Sequence, residues 1–216
     1  MSGESHDLFG ETELPVPQKG AQLFGSREDW HLNACLNYIP SGSQWSWYAE
    51  GYRRAADLLV ESLDETSCEV DILLYPVVFL YRHYLELRLK ELLLLSSSYL
   101  DEPVVEVPPQ HNLLKLWAEV RPKLDKVWPE AEYHDHVGDI LRQFCEIDAG
   151  SYAFRYPLRK DGTPTLAAVG DHINLGRVKD AIAGVASVLD GSSYGLREYL
   201  QMKWEMEAEF YQEASC

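Results

Sequence analysis

The sequence predicts an all-α protein: an up-and-down bundle of about five to six helices, with a short hairpin or ordered loop after the fourth. Three observations carry this expectation. Apolar residues recur near the helical period in successive stretches from Ser43 onward, and breaks rich in Pro and Gly separate those stretches. Only "RYPLRKDGTPTLAAVG", at 155–170, lacks that period, and it carries the turn signal Asp161-Gly162. The connections are short, which favours antiparallel neighbours.

Each element has its own signals. In helix one, from about 44 to 63, Ser43 is the cap and Trp47, Tyr48, Gly51, Ala55, Leu58 and Leu59 form the inward stripe. Helix two, "VDILLYPVVFLYRHYLELRLKELLLL", is the longest apolar element, with Pro76 tolerable in its first turns. The prolines of "DEPVVEVPPQ" end that pattern in a loop. Helix three covers 111–128, with Leu113, Leu116, Trp117 and Val120 on one face and Pro122 bending or splitting its second half. Helix four runs from Pro129, well placed at a start, to 154. Two further helices, "NLGRVKDAIAGVASVL" and "YGLREYLQMKWEMEAEFYQE", are separated by the turn-like "DGSS".

Residues 1–43 read as an acidic, weakly structured arm rich in Gly, Pro and Ser, with two copies of "LFG" at Leu8 and Leu23. The remainder, 44–216, reads as one helical domain with a C-terminal helical extension. At 216 residues and 46% apolar, the chain is long enough to bury a core.

Composition excludes several classes. The four cysteines are widely spaced without a C-x-x-C pair, so no zinc or redox motif is readable; neither a metal nor a cofactor is expected. The acidic start lacks the basic and apolar regions of a secretory signal. The longest uncharged apolar run, 72–81, is about half of what a membrane span needs. A soluble, cytoplasmic protein without a membrane partner is expected. The net charge of -16 repels a phosphate backbone, so any nucleic-acid contact must use a local basic cleft.

The chemistry-bearing stretch is "FLYRHYLELRLKELLLL", at 79–95. On a helical wheel Phe79, Glu86, Leu87, Lys90 and Leu94 lie within about 60° of His83, while Tyr81, Leu85, Leu89 and Leu92 fill the opposite side. A helix apolar almost all round belongs at the centre of a bundle. The line His83–Glu86–Lys90 must therefore meet partners, meet water or shift its protonation, and Glu86 and Lys90 can pair at i, i+4. Arg82 points about 100° away, toward the bundle edge or a second subunit, and Arg88 lies further round, nearer solvent.

Three stretches in order, "LYRHYLELRLKELL", "HNLLKLW" and "DAGSYAFRYP", resemble the HEPN (higher eukaryotes and prokaryotes nucleotide-binding) superfamily of small helical bundles. Together they cover about 75 to 160, leaving the arm and the C-terminal helices outside. The resemblance implies that His83, Glu86, Lys90, His111, Asp148, Arg155 and Tyr156 converge between helices. It further implies a homodimer and a role in a prokaryotic defence or toxin-antitoxin type system. The ligand it implies is RNA, a nucleotide or a partner protein. Bottom-up, two readings of these residues stay open: a satisfied internal network in which Asp148 and Arg155 complete the charge balance, or the floor of a pocket.

Many members are metal-independent endoribonucleases with an Arg, four to six residues, then a His. No Arg here has that spacing; "REDWH", Arg27 to His31, has three between. Arg82 and His83 are the weak catalytic candidates, as cation and base for 2'-hydroxyl attack. Being adjacent on a helix they diverge, so such a site needs His111 or a second subunit. Around Tyr156, the basic residues Arg155, Arg159 and Lys160 are the best phosphate-contact or base-stacking surface. His134 and His136 read as a solvated pair, and Asp171 or Asn174 as a cap for the following helix.

Overall fold

The structure is a computed structural model and describes residues 16–36, 44–64, 68–103, 107–129, 131–167 and 169–213. The chain divides into two units, Met1–Tyr38 and Ile39–Cys216. In the first, a 3-10 turn at Trp30–Leu32 is followed by Asn33, whose side chain accepts from Arg27 N at 3.0 Å and donates to Arg27 O at 2.7 Å. The second "LFG" leaves Leu23 and Phe24 exposed. The first copy and the Ser43 cap lie outside the described residues.

The second unit is a bundle of five helices: α1 (Gln44–Glu61), α2 (Val70–Tyr99), α3 (Leu113–Val127), α4 (Tyr133–Asp148) and α5 (Leu175–Glu213). No strand occurs among the described residues. The hub is α2, packed against α1, α3 and α5, while α4 closes the ring by packing on α3 and α5. Tyr81, Leu85, Leu89 and Leu92 are buried, as are the flanking Tyr84 and Leu93, so the central position expected of this helix is found. No described helix is long and apolar enough to cross a membrane.

The inward face of α1 differs from the expected stripe. Ala49 and Ala56 are buried, with Tyr52, Leu59 and Val60 packed beside them, whereas Trp47, Tyr48 and Leu58 are exposed. Alanines let the α1 backbone approach α2 closely, and that close approach leaves the bulky aromatics outside.

In α3 the expected face is buried, with Leu124 added, and the helix runs unbroken through Pro122. Asn112 caps it, its side chain accepting from Lys115 N at 3.0 Å, so His111 stands just outside the first turn. The expected span of α4 shortens at both ends: Pro129 precedes it, and it stops at Asp148. There Asp148 Oδ1 accepts from Tyr152 N at 2.6 Å, and Ser151 takes a left-handed φ of 59°.

After α4 the expected miniature hairpin is present as a single antiparallel bridge between Leu158 and Pro164. Gly162, at φ 83°, supplies the turn. The Thr165 hydroxyl, 3.0 Å from Ala153 O and 2.7 Å from Tyr156 O, staples this loop to the end of α4.

The two expected C-terminal helices are one, α5, of 39 residues. The turn-forming side chains of "DGSS" are engaged elsewhere. Asp190 accepts from Tyr84 and Arg53, the Ser192 hydroxyl donates to Val188 O, and the Ser193 hydroxyl accepts from Arg88. With those groups committed, nothing competes with the helical backbone bonds.

Candidate functional site

The site forms where the middle of α2 meets the capping turn of α3 and the C-terminal end of α4. Each helix contributes polar groups that cannot be satisfied within it, and Arg82 gathers them. Its side chain is 0% exposed. Its Nε donates to Asp148 O at 3.1 Å and its Nη2 to His111 O at 2.7 Å, both carbonyls that no helix uses. Ion pairs at 3.5 Å reach the Asp148 and Glu86 carboxylates. Arg82 thus stands at the junction of three helices rather than at the bundle edge, because a helix buried all round has no edge to offer.

Glu86 is the second node. Its Oε1 accepts from Lys90 Nζ at 2.9 Å and lies 2.8 Å from His111 Nδ1. Burial opposes ionisation of this carboxyl, but the hydrogen bonds from Lys90 and His111 prevail and hold it below the ordinary glutamate value. The side chains of Arg82, Glu86, Lys90 and Asp148 are at most 9% exposed, and their two positive and two negative charges balance. His111 is different: its side chain is 58% exposed, so Glu86 orients an imidazole that faces solvent.

Two expected members stand beside this network. His83 makes aromatic contacts, stacked on Phe79 at 5.7 Å and edge-on to Tyr52 at 4.4 Å. Burial lowers its pKa and keeps it neutral near pH 7. Arg155 does not complete the charge balance with Asp148, a position Arg82 already fills. Its Nε donates to Ser151 O at 2.5 Å, and its guanidinium lies 5.7 Å from the centroids of both Phe79 and Tyr156. Phe79 therefore joins His83 to Arg155.

Outside this layer, Tyr152 and Tyr156 stack at 4.5 Å and both are exposed. Arg159 and Lys160 are exposed on the hairpin that follows. Two concavities of about 330 and 320 Å³ flank the platform, the first lined by Arg155, Tyr156 and Thr165 and the second by Asp148, Tyr152 and Arg159.

A second buried network was not legible. Arg88, expected nearer solvent, is buried, with its Nε 2.7 Å from Asp190 Oδ1 and its Nη1 bonded to Glu91. Asp190 also accepts from Tyr84 OH at 2.8 Å and pairs with Arg53, while Arg197 pairs with Glu91. These contacts tie α1, α2 and α5 together. The available signal was the i, i+3 pair Arg88 and Glu91 inside a leucine run.

The expected solvated histidine pair is half right in structure. His136 is exposed, but His134 is buried with Nδ1 2.6 Å from Asp125 Oδ1, because α4 turns that side of its first turn toward Trp117. Asn174, not Asp171, caps α5 by accepting from Arg177 N at 2.8 Å. No group of three or more His, Cys, Asp or Glu among the described residues is placed to hold a metal ion. Cys35 and Cys68 are free and exposed, and Cys145 is free and half-buried.

Comparison with protein-family models, with curated proteins and with solved structures finds no match to this chain.

Proposed function

We propose that this chain is a HEPN-like protein of a prokaryotic defence or toxin-antitoxin type system that binds RNA through the face formed by α2 and the loop after α4. The observation that carries the reading is the Tyr152–Tyr156 stack, with Arg155 over Tyr156 and Arg159 and Lys160 beside it. Exposed stacked rings flanked by cations suit unpaired bases and their phosphates. Their concentration on one loop of a chain with net charge -16 supports a local basic contact. The buried network beneath gives that loop a rigid base, as Arg82 fastens the end of α4 to α2.

Fluorescence anisotropy with single-stranded RNA tests the reading. Tyr156→Ala should weaken binding about tenfold, and Arg159→Glu with Lys160→Glu should weaken it further and flatten its salt dependence. Binding that ignores all three substitutions sinks the reading. A free nucleotide that binds with the same sensitivity would identify the ligand as mononucleotide.

A metal-independent endoribonuclease is the second reading, favoured by the Glu86–His111 pair, an oriented imidazole open to solvent. Arg82 is wholly buried, so the phosphorane cation would have to be Arg155, Arg159 or a group from a second subunit in a homodimer. Cleavage of RNA in chelator, abolished by His111→Ala with the fold intact, supports it; no cleavage leaves the binding role. If neither cleavage nor binding occurs, the network serves assembly alone.

A further inference from the structure

Another concavity of the helical unit lies elsewhere. It is a groove of about 940 Å³ where the turn between α3 and α4 faces the middle of α5. The groove is at the N-terminal end of α4, and the Arg82–Asp148 junction is at the C-terminal end, 16 residues and about 24 Å of helix away. None of the residues in the proposed RNA face lines it.

One wall is low. A Cβ at Gly191 would meet nothing within 4 Å, and Ser187 and Ser192 rise little higher. The other wall is aromatic: Trp128 lies with its ring centroid 5.9 Å from that of Tyr199, and Tyr133 is exposed beside it. Trp128 is held in place by Gly195, where a Cβ would come within 3.0 Å of the ring.

Low and aromatic walls alone describe a packing gap as well as a site, and His134 separates the two. It lines the groove, is only 2% exposed, and has Nδ1 fixed 2.6 Å from the Asp125 carboxylate. With Nδ1–H donating to that carboxylate, Nε2 is an acceptor. Among the described residues Nε2 has no hydrogen-bond partner, and it is not one of the polar atoms sealed from solvent. That ring nitrogen is therefore open to a donor from the groove, water or a ligand N–H, rather than from the protein.

Charge narrows the class. No Lys, Arg, Asp or Glu is among the described residues lining the groove, so none of those residues offers a phosphate or an ammonium group a counter-charge. A flat, neutral ring with an N–H donor fits each feature: it stacks on Trp128 or Tyr133, rests over Gly191 and donates to His134 Nε2. We infer that this groove is a second binding site, independent of the RNA face, for a neutral heteroaromatic ring of nucleobase size presented as the free base or nucleoside.

Titration calorimetry of the full chain with adenosine, guanosine, cytidine and uridine tests the inference. At least one nucleoside should bind, and Gly191→Leu, which fills the groove without meeting a neighbour at its Cβ, should weaken it by about tenfold or more. Gly184→Leu, equally open on the same helix but outside the groove, should leave binding unchanged. His134→Phe keeps a ring and removes the acceptor, and should weaken binding likewise. Arg159→Glu and Lys160→Glu, which test the RNA face, should have no effect, so the two proposals fail separately. Absence of binding at ~10 mM nucleoside, or binding indifferent to Gly191→Leu, overturns the site. Equal binding of N-acetyltyrosinamide overturns the ligand class.

Discussion

Arg82 and Asp148 meet twice, through the Asp148 carbonyl at 3.1 Å and through its carboxylate at 3.5 Å, so one guanidinium holds both the backbone and the side chain that end α4. The pair lies almost wholly out of water. Its energetic weight is therefore mostly the penalty of leaving one partner behind.

Arg82→Met removes the cation paired with the buried Asp148 and Glu86 carboxylates and the donor to the His111, Asp148 and Ala149 carbonyls. The expected loss in urea unfolding is about 3–5 kcal/mol. Arg82→Lys should recover little, because an ammonium group cannot span donors arranged for a planar fork. A loss below about 1 kcal/mol for Arg82→Met would show that the junction is not a structural node.

Glu86 sets an acid limb. Its folded-state pKa is lowered, so the unfolded chain binds more protons in acid, and the contribution is whole above the ordinary value of 4.5 and fades as pH falls below it. Glu86→Gln should cost stability at pH 7 and lose less on acidification to pH 3.5. Parallel pH profiles for the two proteins would contradict this.

His83 titrates with the same sign in a higher pH window. Both states are neutral well above pH 6.5. As pH falls through that value the unfolded chain takes up a proton that the buried ring refuses, so stability declines. His83→Phe, which keeps the stack on Phe79, should remove this decline. The measurement is the urea midpoint at pH 7.5 and 5.5, where the wild-type gap should exceed the variant gap.

Asp190→Ala removes the carboxylate that accepts from Arg53 and Tyr84 and pairs with Arg88, and leaves Arg88 buried with Glu91 as its remaining carboxylate. A cost of about 3 kcal/mol is expected. Asp190 is also the first residue of the "DGSS" stretch, so circular dichroism should show whether α5 loses helix around it in the variant.

The glycines of α5 should respond in opposite directions. At Gly191 a Cβ meets open space, and Gly191→Ala should stabilise by about 0.5–1 kcal/mol through helix propensity. At Gly195 the same methyl lands 3.0 Å from Trp128, and Gly195→Ala should destabilise by about 1–3 kcal/mol. Thermal melts of the pair read both.

What a periodic pattern encodes was legible in the chain. The number and order of the helices up to α4, the centrality of α2, the core face of α3 and the turn at Asp161-Gly162 follow from local spacing and turn chemistry, which act over a few residues. A polar cluster around Glu86 and Lys90 followed from charges placed on a helix with no solvent face. Tertiary structure alone decided the rest. Arg82, rather than Arg155, pairs with Asp148 because backbone carbonyls at two helix ends happen to meet its fork. "DGSS" stays helical because Arg88, Arg53 and Tyr84, about a hundred residues or more away in sequence, occupy its polar groups. His134 is buried because Asp125 and Trp117 approach it from another helix. Such choices depend on which unsatisfied groups are brought together when helices pack, which the local periodicity of the chain does not encode.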